Sequence, residues 1–306
     1  MHSSPSTLSF SSIFQYTFFA VVVYVLAGAP LSSFISDSYS GRSGTDVSAQ
    51  NVAQEKIGSL VIPDAELTCG EHAYKGVHVL SRQPLVVYIE GFLSEKETKH
   101  VVGVSEPHFT PSTVWNAGQE TLNTKVRHSE KAQLPRDQTV KCIEDRARQF
   151  QGWRPYVFIE KLWAQRYGTG GHYTYHYDWS TATRTSGRIS SFMVYLEANC
   201  TGGGTHFPRL QHPSPESDKH QWCRFIECGT NADEIVDPEL RDGITFRPIA
   251  GNAVYWENMR PDGSGYPESW HAGLPVKSGT KIGLNIWSWL QVGYEPHGDN
   301  IVEQKE

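Results

Sequence analysis

Residues 167–178, YGTGGHYTYHYD, hold the side chains best suited to chemistry. His176 and Asp178 are two positions apart, so in an extended segment one imidazole and one carboxylate point to the same face and can meet one ion. A third donor, His271, stands far downstream in SWHAGLPV. Two histidines and one carboxylate are the donor set of the facial triad, which grips iron(II) and leaves the remaining positions open to reactants. A His-x-Asp pair by itself is common, and a solvated strand end is its plain alternative. Lys281 sharpens the reading, because it is a cation inside the apolar strand pattern SGTKIGLNIW, where an ammonium is costly unless an anion meets it. A dicarboxylate co-substrate is such an anion.

The elements that must position these groups are mostly strands. VFIEKLWAQRY (157–167), GRISSFMVYLEA (187–198), GITFRPIAGNAVYWE (243–257) and KIGLNIWSWL (281–290) are β-branched and aromatic runs separated by glycine and proline. Short strands with donors scattered over the sequence predict an α+β, mainly β fold, a double-stranded β-helix (jelly roll) core over about 155–290 with the site between its sheets. Upstream, residues 85–91, LVVYIEG, read as a strand, and Ser94 and Glu97 stand at capping-box spacing for a helix start. Val140, Ile143 and Ala147 share one face of a second helix that ends near Gly152. Both helices are expected to flank the sheet on its outside. Residues 110–134 read as an irregular segment over the site's mouth, and residues 209–242 as a polar insertion at its rim.

Tyr167, Gly170, Gly171, Tyr173, His176 and Asp178, then RISSFMVYL from Arg188, GGTHFP from Gly203, Gly251, and His271 with Pro275, Val276, Gly279 and Lys281 occur in the order found in one family. The chain resembles the catalytic domain of the prolyl 4-hydroxylases, which are iron(II)/2-oxoglutarate-dependent dioxygenases, from about Leu85 to Leu290. The resemblance implies iron(II) on His176, Asp178 and His271, with 2-oxoglutarate and O2 as co-substrates and ascorbate as a further requirement. It places Lys281 on the distal carboxylate of 2-oxoglutarate, with Tyr167 and Thr205 as hydroxyl donors, and Tyr173 and Arg188 near the substrate. The activity implied is hydroxylation of an unactivated C–H, foremost C4 of peptidyl proline, with release of succinate and CO2. The same chemistry on a free amino acid or a specialised small metabolite is one alternative; a membrane-tethered binding protein without turnover is another. Trp163 and the Ser190-Ser191 pair depart from the family pattern and leave the substrate open. Trp163, Trp270 and Trp287 read as core residues, and His172 and His206 as neighbours of the site or surface groups.

With 306 residues and 38% hydrophobic content the chain can bury one catalytic domain, taken as residues 61–306. A net charge of −6 without a long basic run gives no footprint for nucleic acid, so the partner expected is a peptide or small molecule. Residues 1–35 contain no Lys, Arg, Asp or Glu, and residues 14–34 are apolar over a bilayer-spanning length. A signal anchor and a cleaved signal peptide both fit, and residues 36–60, polar and rich in Ser and Gly, read as a flexible stalk with no function of its own. Either reading sends the catalytic domain to the secretory pathway: the endoplasmic reticulum membrane with the domain in the lumen, or secretion after cleavage. Of five cysteines at least one stays unpaired there or pairs between chains. Cys223 and Cys228 are spaced for a disulfide in the rim loop beside the pocket, and Asn199 begins an N-x-T glycosylation sequon.

Overall fold

The computed structural model describes residues 54–116, 119–152, 154–179, 183–212, 221–228 and 243–295. These all belong to one unit, residues 48–306; the other unit, residues 1–47, carries the apolar run and the start of the stalk and lies outside the described residues. Among the described residues no helix is long and apolar enough to cross a membrane.

In chain order the helices are α1 (Gln54–Gly58), α2 (Glu95–Ser105) and α3 (Gln138–Phe150). The strands are β1 (Gly76–Arg82), β2 (Leu85–Glu90), β3 (Thr110–Pro111), β4 (Val114–Asn116), β5 (Gln119–Thr121), β6 (Arg127–His128), β7 (Glu130–Gln133), β8 (Val157–Ile159), β9 (Trp163–Tyr167), β10 (His172–His176), β11 (Ser186–Gly202), β12 (Thr205–Phe207), β13 (Ile244–Phe246), β14 (Ala253–Glu257), β15 (His271–Gly273) and β16 (Val276–Gln291). A large antiparallel sheet runs β1-β2-β14-β11-β16-β9-β7-β3, with β8 also paired to β16. A smaller sheet runs β13-β12-β15-β10-β6, and β4 and β5 form a separate hairpin. The architecture is mainly β, with antiparallel sheets and few helices, as a jelly roll requires. The large sheet begins earlier than residue 155, since β1, β2, β3 and β7 all join it.

Strand alternation sorts the two faces of this sheet. On β11, Phe192, Val194 and Leu196 point outward with Ile282, Leu284 and Ile286 of β16, and they bury against Val101 of α2 and Val140, Ile143 and Ala147 of α3. Helix α2 starts where its sequence says it should, with Ser94 and Glu97 capping each other reciprocally. The intervening residues face the other way: Met193 of β11 and Lys281, Asn285, Trp287 and Trp289 of β16 line a cleft. Beside that cleft a second core joins the sheets, with Tyr88, Tyr195 and Trp256 of the large one against Phe207, Ile244 and Phe246 of the small one.

Three expectations need correction. Residues 110–134 are not irregular, because β3 and β7 extend the large sheet, β6 edges the small one and β4–β5 pair with each other. The stalk does not reach residue 60: α1 precedes a stretch pinned to β8, with Val61 N–H donating to Ile159 O (2.7 Å) and Lys161 N–H to Ser59 O (2.7 Å). The rim loop meets the cleft mouth through Arg209, which donates to the hydroxyl of the cleft-lining Tyr177, but its described residues 221–228 pack away from the cleft. Trp222, Phe225 and Ile226 are buried in the second core, and Ile226 bridges to Phe246 at the end of the small sheet.

Cys223 is bonded to Cys228, Cys69 is bonded to Cys142 across 73 residues, and Cys200 is free. The sequence left the second pairing undetermined. A long closed loop removes more unfolded-chain entropy than a short one. Cys142→Ser should therefore lower the unfolding free energy of the oxidised protein by about 2–4 kcal/mol, and Cys223→Ser by clearly less. Denaturant titration under non-reducing conditions checks this; equal losses would count against the loop-length account.

Candidate active site

His176 ends β10 and His271 begins β15, and the register of these neighbouring strands sets the two residues directly opposite each other. Their rings lie 4.3 Å apart between centroids. His176 Nδ1 faces Thr174 O and His271 Nδ1 faces Ser269 O, each at 2.8 Å. A carbonyl can only accept, so each Nδ1 carries the proton and each Nε2 keeps a lone pair for a ligand. Asp178 departs from the extended geometry expected of a His-x-Asp, because β10 stops at His176 and Asp178 lies in the turn that follows. It still arrives at the same place. Ligand atoms of His176, Asp178 and His271 all fall within 4.8 Å of one another.

The Asp178 carboxylate is fixed from the large sheet. Ser191 of β11 donates to its Oδ2 at 2.7 Å, Trp287 Nε1–H of β16 donates to the same oxygen at 3.1 Å, and Asn258 holds the Ser191 hydroxyl at 2.8 Å. Oδ1 is left facing His176 Nε2 at 3.6 Å. Burial pushes this carboxyl up, yet His271, His176, Arg188 and the Ser191 hydroxyl outweigh it and hold the group below the usual carboxylate range. Burial, reinforced by His271, pushes His176 the other way, toward the neutral imidazole that ligation needs. One carboxylate oxygen and two imidazole nitrogens, each braced through its other heteroatom, make a donor set that fits a divalent metal such as iron(II).

Lys281 is only 1% exposed. Its ammonium donates to Gly203 O at 2.6 Å and sits 4.7 Å above the Tyr167 ring, its cross-strand partner. Gly202 and Gly203 both have positive φ (68° and 71°), the glycine-favouring turn that turns this carbonyl inward. Among the described residues no carboxylate meets the ammonium, and burial brings it down to about 8, with the nearby Cys200 opposing. Thr205 is also buried there, and its hydroxyl accepts from Tyr195 OH at 2.9 Å. Tyr195 was not singled out from sequence, although it alternates with Ser191 and Met193 on the inner face of β11.

The cleft has a volume of about 1200 Å³ and holds the triad, Lys281, Tyr167 and Thr205 together with Tyr173 and Arg188. Tyr173 stacks on His176 at 3.8 Å, with the Arg127 guanidinium 4.7 Å from its ring. Arg188 bonds Glu160 through two nitrogens (2.7 and 3.0 Å) and lies 3.9 Å over Trp287. Trp163, Trp270 and Trp287 are not core residues, since all three line the cleft wall. For Trp163 and Trp287, positions opposite the outward-facing residues of the same strands were the available signal. His206 is buried against Thr245, and His172 lies between Gly170 O and Lys125 O, so neither joins the triad. Asn199 is exposed on β11, paired with Thr280.

If Ser191 orients Asp178, Ser191→Ala should weaken divalent-metal affinity by about 10- to 100-fold while leaving the fold intact. Metal titration followed by calorimetry, with thermal unfolding as the control, checks this. Unchanged affinity would mean that Trp287 alone suffices.

Known proteins resemble the chain over the segment that carries this site. The model of the 2OG-Fe(II) oxygenase superfamily matches residues 162–289. "Probable prolyl 4-hydroxylase 10" of Arabidopsis thaliana is 29% identical over 306 residues, covering 95% of this chain and 93% of that protein. "Prolyl 4-hydroxylase 5" of the same plant is 29% identical over 237 residues, covering 74% and 77%. The solved viral collagen prolyl hydroxylase of Paramecium Bursaria Chlorella virus-1, in its 2OG complex, is 23% identical and covers 67% of this chain and 96% of its own at a TM-score of 0.48. The segment matched by the superfamily contains His176, Asp178, His271 and Lys281; the chain is a 2-oxoglutarate- and iron(II)-dependent dioxygenase similar to the prolyl 4-hydroxylases.

Proposed function

We propose that this dioxygenase hydroxylates C4 of proline within a peptide. The observation that carries the reading is the pairing of a complete triad with an ammonium that has no carboxylate partner among the described residues, inside one cleft. His176 Nε2, His271 Nε2 and an Asp178 oxygen would hold iron(II), and Lys281 would hold the distal carboxylate of 2-oxoglutarate in a charge-assisted hydrogen bond. Tyr167 and Thr205 border that anion. With 2-oxoglutarate and O2, the iron centre supplies the oxidant that replaces a C–H hydrogen by hydroxyl while succinate and CO2 leave. The chain's own task is to position the carbon and exclude water, which falls to the aromatic walls of Tyr173, Trp163, Trp270 and Trp287.

A peptide suits a cleft of about 1200 Å³ better than a free amino acid does, because sites for single small molecules are mostly smaller. Aromatic faces are also the usual platform for proline-rich chains in the polyproline II conformation. The relatives named prolyl 4-hydroxylases support the same substrate class. A secretory address, with the domain in the lumen of the endoplasmic reticulum or secreted, is supported by the apolar run at residues 14–34 and by the two disulfides. The same address would expose Asn199 to glycosylation, and ascorbate would sustain turnover.

Purified protein should release succinate from 2-oxoglutarate only with iron(II) and a proline-rich peptide, and His176→Ala, Asp178→Ala and His271→Ala should each abolish release. Mass spectrometry of the peptide reads the product; succinate release stimulated by free proline or a small metabolite and by no peptide would overturn the substrate class. Lys281→Ala should raise the KM for 2-oxoglutarate by about one to two decades, since a charged hydrogen bond is worth about 1.5–3 kcal/mol. The pH dependence follows from the same group. Lowering the folded-state pKa below that of an unfolded lysine means that Lys281 costs stability below about pH 8, a cost that fades as pH rises toward the unfolded value. Bound 2-oxoglutarate needs the ammonium, so above about pH 8 its binding must take up a proton, and KM should climb toward about tenfold per pH unit. A flat KM between pH 7 and 9.5 would remove Lys281 from the co-substrate site.

A further inference from the structure

Glu160 immediately follows β8, is 4% exposed, and is gripped by two cations. One is Arg188, described above. The other is Lys56 of α1, whose Nζ pairs with Glu160 Oε2 and also lies 4.0 Å over the Trp289 ring. Lys56 therefore reaches from the segment read as a functionless stalk into the wall of the cleft, where Lys56, Ser59, Glu160, Arg188, Trp287 and Trp289 are neighbours. The arm is not loosely laid there. Leu60 bridges to Glu160, Val61 N–H donates to Ile159 O, and Lys161 N–H donates to Ser59 O, so residues 59–61 are hydrogen-bonded along β8 and its continuation.

From Lys56 the contacts run without a gap to the triad. Lys56 pairs with Glu160, Glu160 with Arg188, Arg188 lies over Trp287, and Trp287 donates to Asp178. Arg188 without Glu160 would lose its hydrogen-bonded counter-ion and keep only the less direct attraction of Asp178, and Glu160 with a single cation would be free to turn away. Two opposed cations hold one buried carboxylate in a fixed place, and so hold the guanidinium flat on Trp287.

We infer that Lys56 is a positioning residue for the peptide substrate: by docking the 54–61 arm on β8 it clamps Glu160 and sets Arg188 and Trp287 as one wall of the peptide cleft. The inference rests on the peptide-hydroxylase reading above. Lys56 contacts neither the triad nor Lys281, and Asp178 keeps its shorter bond from Ser191 if Trp287 shifts, so the clamp acts chiefly on the peptide wall. Its charge is what clamps, and the charged groups facing it are Glu160 and Arg188. Burial lowers Lys56 to about 8, with Glu160 opposing and Arg188 reinforcing, so the clamp loosens as pH rises through that value.

The test uses the full chain with three variants, Lys56→Met, Lys56→Arg and a double variant Lys56→Met/Glu160→Gln, assayed with a proline-rich peptide at saturating 2-oxoglutarate. Lys56→Met should raise the peptide KM at least tenfold at pH 7, while the 2-oxoglutarate KM, measured by succinate release at saturating peptide, stays within twofold. Lys56→Arg should keep the wild-type KM at pH 7 and remove the rise in peptide KM that the wild type shows between pH 7.5 and 9. The double variant should be no worse than Lys56→Met, because both act on one clamp. Amide hydrogen exchange over residues 59–61 and 157–161 reads arm docking with no peptide present, and Lys56→Met should lose protection there at unchanged melting temperature. That readout separates the two ideas: a wild type that ignores every proline-rich peptide sinks the proposed substrate, whereas wild-type protection and wild-type peptide KM in Lys56→Met overturn the clamp. Equal losses in peptide KM, 2-oxoglutarate KM and melting temperature in Lys56→Met would overturn it as well, by making Lys56 a general stability residue.

Discussion

The half-buried carboxylate of Asp178 is the constraint to which most of the site answers. An ionised carboxylate held out of water is tolerable only when its oxygens are met, and a metal ligand must in addition keep one oxygen free. Both demands are satisfied from the opposite sheet. Ser191 and Trp287 take Oδ2, and Oδ1 is left toward the two imidazoles. Neither donor would arrive without the antiparallel pairing of β11 with β16, which sets Ser191 directly opposite Trp287.

The same pairing explains why the Lys281 end and the Trp287 end of the cleft are held in one frame. β16 carries Lys281 near one end of its apolar run and Trp287 and Trp289 near the other, all on the inner face. Its outer face is Ile282, Leu284 and Ile286, packed against the helices. Burying side chains of that size is worth about 1.5–3 kcal/mol each, so the strand cannot slip by one residue without exposing its apolar set and burying its polar one. Register, set by packing on the outside, thus fixes the spacing of chemistry on the inside. The smaller sheet does the complementary work by placing His176 opposite His271, and the second core holds the two sheets at the separation the triad needs.

Polar groups deep in the fold follow one pattern. Glu160 is met by two cations, the Ser191 hydroxyl by Asp178 and Asn258, and Thr205 by Tyr195. Lys281 differs from them. A carbonyl and an aromatic face stabilise its ammonium, but neither neutralises it, and burial accordingly depresses its pKa. An interior cation left without a counter-ion among the described residues is costly unless a ligand's charge completes it, as the proposed contact with a dicarboxylate co-substrate would.

The triad, Lys281, the capping box at Ser94 and the inward-facing helix residues Val140, Ile143 and Ala147 were legible in the sequence, because each depends on residue type and short-range spacing that strand and helix periods translate directly into a shared face. The neighbours of Asp178 were not. Ser191 looked like a departure from a family pattern and Trp287 like core, since nothing local says which inner-face residue will meet a turn more than ten positions away or across a sheet. Cys69 and Cys142 could not be paired for the same reason, and the turn that carries Asp178 broke the extended geometry without spoiling convergence. Lys56 was the furthest out of reach: a lysine in a polar, serine-rich stretch has the composition of a solvated stalk, and only docking along β8 brings its charge to Glu160. Composition and periodicity determined which residues could do the chemistry and which faces they shared; tertiary structure alone decided which distant side chains would orient them, because hydrogen bonds and ion pairs between strands are set by register and packing and leave no trace in local spacing.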